Sequence, residues 1–168
     1  MTSSSIEAAE RQLDRIHSQY SRVESKSSYL LATNIGILAI MFYNLDYKDF
    51  TSWYVMLPFL IATSLVAFSL YDLYAAAYPQ LEGGNESLIY FSSIASMTET
   101  NYLDRCVERS DDGLLKDVHG QIWRNSQILS DKYKSVRQAF TLTILSIFPW
   151  AAFLLISSFV HARSVIVR

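Results

Sequence analysis

Residues 23–45 read VESKSSYLLATNIGILAIMFYNL. Glu24 and Lys26 stand at the mouth of a run that carries no further charge until Asp46. The uncharged run, 27–45, is 19 residues long, and two more follow: 50–71 with 22 residues and 138–160 with 23. At about 1.5 Å rise per residue, each is long enough as a helix to cross a hydrocarbon core of roughly 30 Å. Three buried helices of a soluble bundle are the alternative, but such helices need a polar outer face, and none of these runs has one.

The rest of the composition fits this segregation. The chain of 168 residues is 51% hydrophobic and 18% charged, with a formal net charge of −2. The first 26 residues are polar and hold eight charges, and no small-residue cleavage site follows them, so the first run reads as an uncleaved anchor. Cys106 is the only cysteine, and His17, His119 and His161 are widely spaced, so neither an internal disulfide nor a metal site is expected.

Lys and Arg counts set the orientation. The N-terminal arm holds four (Arg11, Arg15, Arg22, Lys26), and the segment 72–137 holds seven. The turn at 46–49 holds only Lys48, and the C-terminal tail holds Arg163 and Arg168. The positive-inside rule then places the N-terminus in the cytoplasm and the C-terminus outside. Tyr43, Tyr47, Phe50, Trp53 and Tyr54 flank the short outer turn, where amphipathic rings prefer to sit.

The cytoplasmic parts read as helices tied to the spans. Ile6, Ala9, Leu13, Ile16, Tyr20 and Val23 recur in steps of three and four, a heptad seam that continues in phase into the first span. Leu115, Val118, Ile122, Leu129, Tyr133, Val136 and Phe140 form a second seam that enters the last span, and Ser110-Asp111-Asp112-Gly113 marks its start. Between them, residues 86–97 are expected as a helix after the Pro79 and Gly83-Gly84-Asn85 break, and residues 100–109 as another.

The expected fold is therefore an all-α integral membrane protein with three transmembrane helices. A cytoplasmic helical bundle is expected from the N-terminal helix (1–26) and the region 72–137 between the second and third spans. The whole chain, 1–168, is expected as a single domain.

Individual polar residues leave alternatives open. Lys26 reads either as an interfacial anchor or as a cation facing an anion or a carboxylate inside the bundle. Asn34 lies about two turns inside the first span and reads either as a bond to another helix or as the lining of a polar path. Ser28, Ala32 and Gly36, four apart, make a small-residue ladder suited to close helix contact. Gln121, Asn125, Lys132 and Arg137 read either as a solvated face or as a cytoplasmic pocket, in which Phe91, Tyr90, Tyr102 and Tyr133 stack on a base and cations hold a phosphate. No P-loop, G-x-S-x-G or H-E-x-x-H motif occurs, and no catalytic residue is expected. Pro149, midway through the last span, is the natural place for a kink.

Three stretches resemble a known family. ESKSSYLLATNIGIL (24–38), IYFSSIASMTETNYLDRC (89–106) and DVHGQIWRNSQILSDKYKSVRQAF (117–140) are similar, in order and spacing, to the transmembrane effectors of bacterial cyclic-nucleotide antiphage systems, known as Pycsar. The positions that match the pattern are Lys26, Asn34, Phe91, Tyr102, Gln121, Lys132, Tyr133 and Arg137; Ser27 departs from the frequent Ala. Two-span effectors of the SLATT group share the outline but fit the third span less well.

The resemblance implies a non-enzymatic effector in the inner membrane. A partner pyrimidine nucleotide cyclase makes a cyclic mononucleotide (cUMP or cCMP), which acts as the activating ligand in place of any cofactor. The effector then rearranges or assembles as a homo-oligomer and impairs the membrane, so that the infected cell dies before phage are released. The bilayer and the nucleotide are its expected partners, with no nucleic acid among them. A constitutive scaffold that recruits a partner helix, or a channel subunit, is the competing reading.

Overall fold

The computed structural model describes residues 2–78 and 87–166. Every regular element in them is helical: α1 (Thr2–Tyr43), a 3-10 turn (Tyr47–Thr51), α2 (Trp53–Ala77), α3 (Phe91–Ala95), α4 (Glu99–Val107) and α5 (Asp111–Ile166). The Pro79 and Gly83-Gly84-Asn85 break lies outside the described residues. The chain divides into two compact units. One combines Met1–Val23 with Tyr78–Lys132, and the other combines Glu24–Ala77 with Tyr133–Arg168. α1 and α5 each supply residues to both.

In the first unit the N-terminal seam is realised as read. Ala9 and Val23 are buried and Ile6, Leu13, Ile16 and Tyr20 half-buried, while the residues between them are almost all exposed. Ala9 meets Val118 and Ile122 of α5 in a small core closed by Leu13, Ile16, Ile89, Leu114 and Leu115. The start of α5 is capped as expected, since the Ser110 hydroxyl accepts the Gly113 N–H at 3.2 Å. Thr98 caps α4 in the same way, accepting from the Asn101 N–H at 3.4 Å.

The helix expected over residues 86–97 is reduced to Phe91–Ala95. Side chains compete for its first turn. The Asp117 carboxylate accepts the Leu88 N–H at 3.0 Å, and the Ser87 hydroxyl accepts those of Ile89 and Tyr90. Backbone donors held this way are withdrawn from a helix, and local Ser and Asp bonds are the usual competitors.

In the second unit three helices each present one stripe. α2 buries Val55, Phe59, Ala62, Val66, Ser69, Leu73 and Ala76, in regular steps of four and three. α1 buries Asn34, Ile37 and Met41, and α5 buries Val136, Ala139, Thr143, Ser146, Phe153 and Ser157. The second seam thus departs from the expected one: Tyr133 and Phe140 are exposed, and Ala139 takes the place facing the other helices. Small side chains in the stripes let the helices approach closely. Away from the stripes the unit exposes large apolar residues such as Leu31, Ile35, Leu60, Phe68, Phe148 and Phe159.

Among the described residues two helices qualify by length and composition to cross a membrane, α2 and α5. α1 falls short of that measure because it ends at Tyr43 and its apolar part is diluted by Ser27, Ser28, Thr33 and Asn34. Ser28 and Thr33 return their hydroxyls to the carbonyls of Glu24 and Tyr29, which leaves little polarity on the helix surface. The connection from α1 to α2 is longer than a four-residue turn, with Asp49 accepting the Asp46 N–H at 2.8 Å to close the 3-10 turn. α5 continues through Pro149 without interruption.

Among the described residues the Ser28–Ala32–Gly36 ladder makes no close helix contact. Ser28 and Ala32 are exposed, and a Cβ built on Gly36 would meet nothing within 4 Å. Gly36→Ala is therefore expected to stabilise the helix by about 0.5–1 kcal/mol, read as a raised melting temperature in detergent. A fall would mean that a backbone does approach there.

Candidate functional site

Three constellations of polar side chains stand out, one in the first unit and two in the second.

The first is built on Asp117. Its carboxylate accepts the Arg109 guanidinium at 2.6 Å, the Ser87 hydroxyl at 2.7 Å and the Leu88 N–H. Both members of the ion pair are largely buried, at 16% and 15% exposure. Gln121, one turn on, is buried and donates its amide to Ser87 at 3.1 Å. Asn125, a further turn on, donates to the Gln121 carbonyl at 2.8 Å, and its own carbonyl accepts the Tyr20 hydroxyl at 3.0 Å. Burial raises the Tyr20 phenol above its ordinary value, and the nearby Tyr90 adds to the effect. Phe91 is exposed with its ring 4.9 Å from that of Tyr90. Tyr102 is half-buried on α4, and Lys132 closes this unit's share of α5. Five residues singled out for a ligand pocket (Phe91, Tyr102, Gln121, Asn125 and Lys132) thus belong to this unit.

The second lies deep in the other unit, where Asn34 of α1, Ser69 of α2 and Thr143 of α5 meet. The Asn34 amide donates to the Ser69 hydroxyl at 2.8 Å, and the Thr143 hydroxyl lies 3.1 Å from the Asn34 carbonyl. Ser69 reaches the Ala139 carbonyl at 2.9 Å and the Thr143 hydroxyl at the same distance. Asn34 and Ser69 are fully buried and Thr143 is 4% exposed. Each group finds a partner, so the geometry is that of a clasp joining three helices. Bonds of this kind between helices in apolar surroundings contribute roughly 0.6–2 kcal/mol. Asn34→Leu is expected to weaken the association of these helices by about 1 kcal/mol, and Asn34→Leu with Thr143→Val by less than the sum of the two. A double-mutant cycle of melting in detergent checks this.

The third is a surface groove of about 440 Å³, lined by Lys26, Tyr29, Leu30, Tyr133, Val136, Arg137 and Phe140. The Lys26 ammonium stands 6.0 Å from the centroid of the Tyr133 ring, at the outer reach of a cation–π contact. Three of the eight residues singled out for the ligand pocket therefore share this groove.

Sequence reasoning found Asn34 and missed its partners. Ser69 and Thr143 sit inside uncharged runs, where a lone hydroxyl has no distinctive spacing. The Arg109–Asp117 pair was likewise missed, because a carboxylate eight residues from an arginine across a helix boundary carries no pattern. Among the described residues no group of three or more His, Cys, Asp or Glu is arranged to hold a metal ion.

Helices with apolar outer faces, joined by a buried polar clasp, define a class: an all-helical protein with helices long and apolar enough to cross a membrane. Comparison with known families narrows this. The model of the Pycsar effector protein domain matches residues 8–157, and the chain belongs to that family. Membership indicates an effector role in antiphage defence, and effectors of this family work with a cyclase that makes cyclic nucleotides. No catalytic family is indicated. Neither a curated protein nor a solved structure matches the chain.

Proposed function

We propose that this effector spans the inner membrane three times, with its N-terminus and the region 72–137 in the cytoplasm. There it binds a cyclic pyrimidine mononucleotide, cUMP or cCMP, rearranges as a homo-oligomer, and impairs the membrane so that the infected cell dies early. The observation that carries this reading is that α1 and α5 each run without a break from a unit rich in polar contacts into one whose exterior is apolar. A helix without a break resists bending, so repacking at one end is felt at the other. The ligand acts through whatever difference in affinity it has for the two packings.

Two features support α1 as the third span. Its stripe of Leu30, Asn34, Ile37 and Met41 packs with α2 and α5, and its other faces are apolar and exposed. An apolar surface on all remaining sides is stable against hydrocarbon and costly against water. For the ligand, the exposed ring of Phe91 supplies a face for stacking on a base, and Gln121 and Asn125, whose amides bond to Ser87 and to the Gln121 carbonyl, join the proposed set in the same unit. Tyr102 and Lys132 belong to the same proposed set.

Calorimetric titration of the purified protein with cUMP and cCMP, together with dye entry into cells that also express the cyclase, tests the proposal. Binding that Asn125→Ala weakens, and dye entry only when nucleotide accumulates, are expected. Membranes that stay intact despite abundant nucleotide would overturn it in favour of a constitutive scaffold.

A further inference from the structure

We infer that the groove between Lys26 and Arg137 is a binding site for the headgroup of an anionic phospholipid. This rests on the reading that its unit is embedded in the bilayer.

Lys26 is the last charged residue of α1 before its uncharged run, and Arg137 is the last of α5 before its own. Both are exposed, and neither makes an ion pair with a carboxylate among the described residues. Both line the same groove, whose other walls are apolar or aromatic: Leu30, Val136, Phe140 and Tyr133. On each helix an apolar wall follows the cation: Leu30 lies one turn beyond Lys26, and Phe140 nearly one turn beyond Arg137, while the Lys26 ammonium stands over Tyr133, one turn before Arg137.

A ligand that fits must carry a negative charge at one end and hydrocarbon at the other. A phosphodiester headgroup between the ammonium and the guanidinium, with acyl chains against Leu30 and Phe140, meets both demands. A free nucleotide meets only the first, because its ribose and base would displace no lipid from the inner part of the groove. Tyr133 and Phe140 fit the same account. Both depart from the expected seam and are exposed: the amphipathic ring of Tyr133 is favoured at headgroup depth, and the apolar ring of Phe140 lies deeper, against the acyl chains.

The test uses the full chain reconstituted in phosphatidylcholine bilayers with a small fraction of spin-labelled phosphatidylglycerol. The readout is the share of label immobilised by the protein, compared with labelled phosphatidylcholine. Wild type is expected to prefer the anionic lipid. Lys26→Gln and Arg137→Gln are each expected to lower that preference about fivefold, following about 1 kcal/mol per cation near an anionic surface. Lys116→Gln, at an exposed cation of the other unit, should leave it unchanged.

Both groove variants alter exposed side chains, and circular dichroism is the check that they fold. Absence of a preference in wild type, or an equal loss in Lys116→Gln, would overturn the site. Displacement of the labelled lipid by added cUMP or cCMP would overturn it too, and would assign the groove to the nucleotide. Nucleotide binding that leaves the lipid in place supports it. Failure of the protein to bind any nucleotide counts against the proposed function alone.

Discussion

Asp117→Ala is expected to destabilise the first unit by about 3–5 kcal/mol, the largest effect of any single polar substitution in the chain. Removing one member of a buried ion pair leaves the other charge without its counterion, and Arg109 is only 16% exposed. The carboxylate does more than hold the guanidinium. It also accepts from Ser87 and from the Leu88 backbone, so its loss frees the segment that leads into α3. Arg109→Met with Asp117→Leu should recover only part of the loss, since an apolar pair replaces the charges but not the bond to Leu88. Chemical denaturation gives the stability change. Hydrogen exchange at the Leu88 amide gives the local one, and unchanged protection there would show that the backbone at residue 88 is held by something else.

Phe153→Ala is expected to cost the second unit roughly 3 kcal/mol, at the low end for truncation of a buried phenylalanine. The Phe153 side chain is fully buried, with its ring centroid 5.3 Å from that of Phe59 in the core of Ile37, Met41, Val55 and Val66. In water the loss would include transfer of the side chain out of solvent. In lipid that part is small, because hydrocarbon surrounds the unfolded helices too, and the loss of dispersion contacts dominates. Phe153→Leu, which fills most of the space, should cost less than half as much. Melting of the two variants in the same detergent separates the outcomes, and equal costs would contradict close packing at this position.

How far the fold was legible depends on the chemistry at each position. The heptad stripes of α1 could be read because apolar and charged residues alternate against water, and burial at Ala9 and Val23 follows that pattern. The limits of the first uncharged run could not be read closely, since Asn44 and Leu45 carry no charge to mark a boundary, yet the helix ends at Tyr43. Within the apolar runs the facing side was illegible, because every face is hydrophobic; Tyr133 and Phe140 were placed on the seam by their spacing from Leu129 and Val136 and are exposed instead. The helix expected over 86–97 failed because Asp117, some thirty residues away, holds the backbone of Leu88. A contact of that separation leaves no periodic trace. The same holds for the clasp: an amide in a span announces that it needs a partner but not which hydroxyl supplies it.

Reagent access at two single cysteines tests the central claim most directly. Cys106 is exposed on α4, and Glu10 is exposed on α1, so Glu10→Cys in a Cys106→Ser background supplies the second probe. A membrane-impermeant maleimide is added to intact spheroplasts and to inverted membrane vesicles. Three crossings put both positions in the cytoplasm: neither cysteine should label in spheroplasts, and both should label in inverted vesicles. Labelling of position 10 from outside, with Cys106 protected, would mean that α1 does not cross the membrane and would contradict the account.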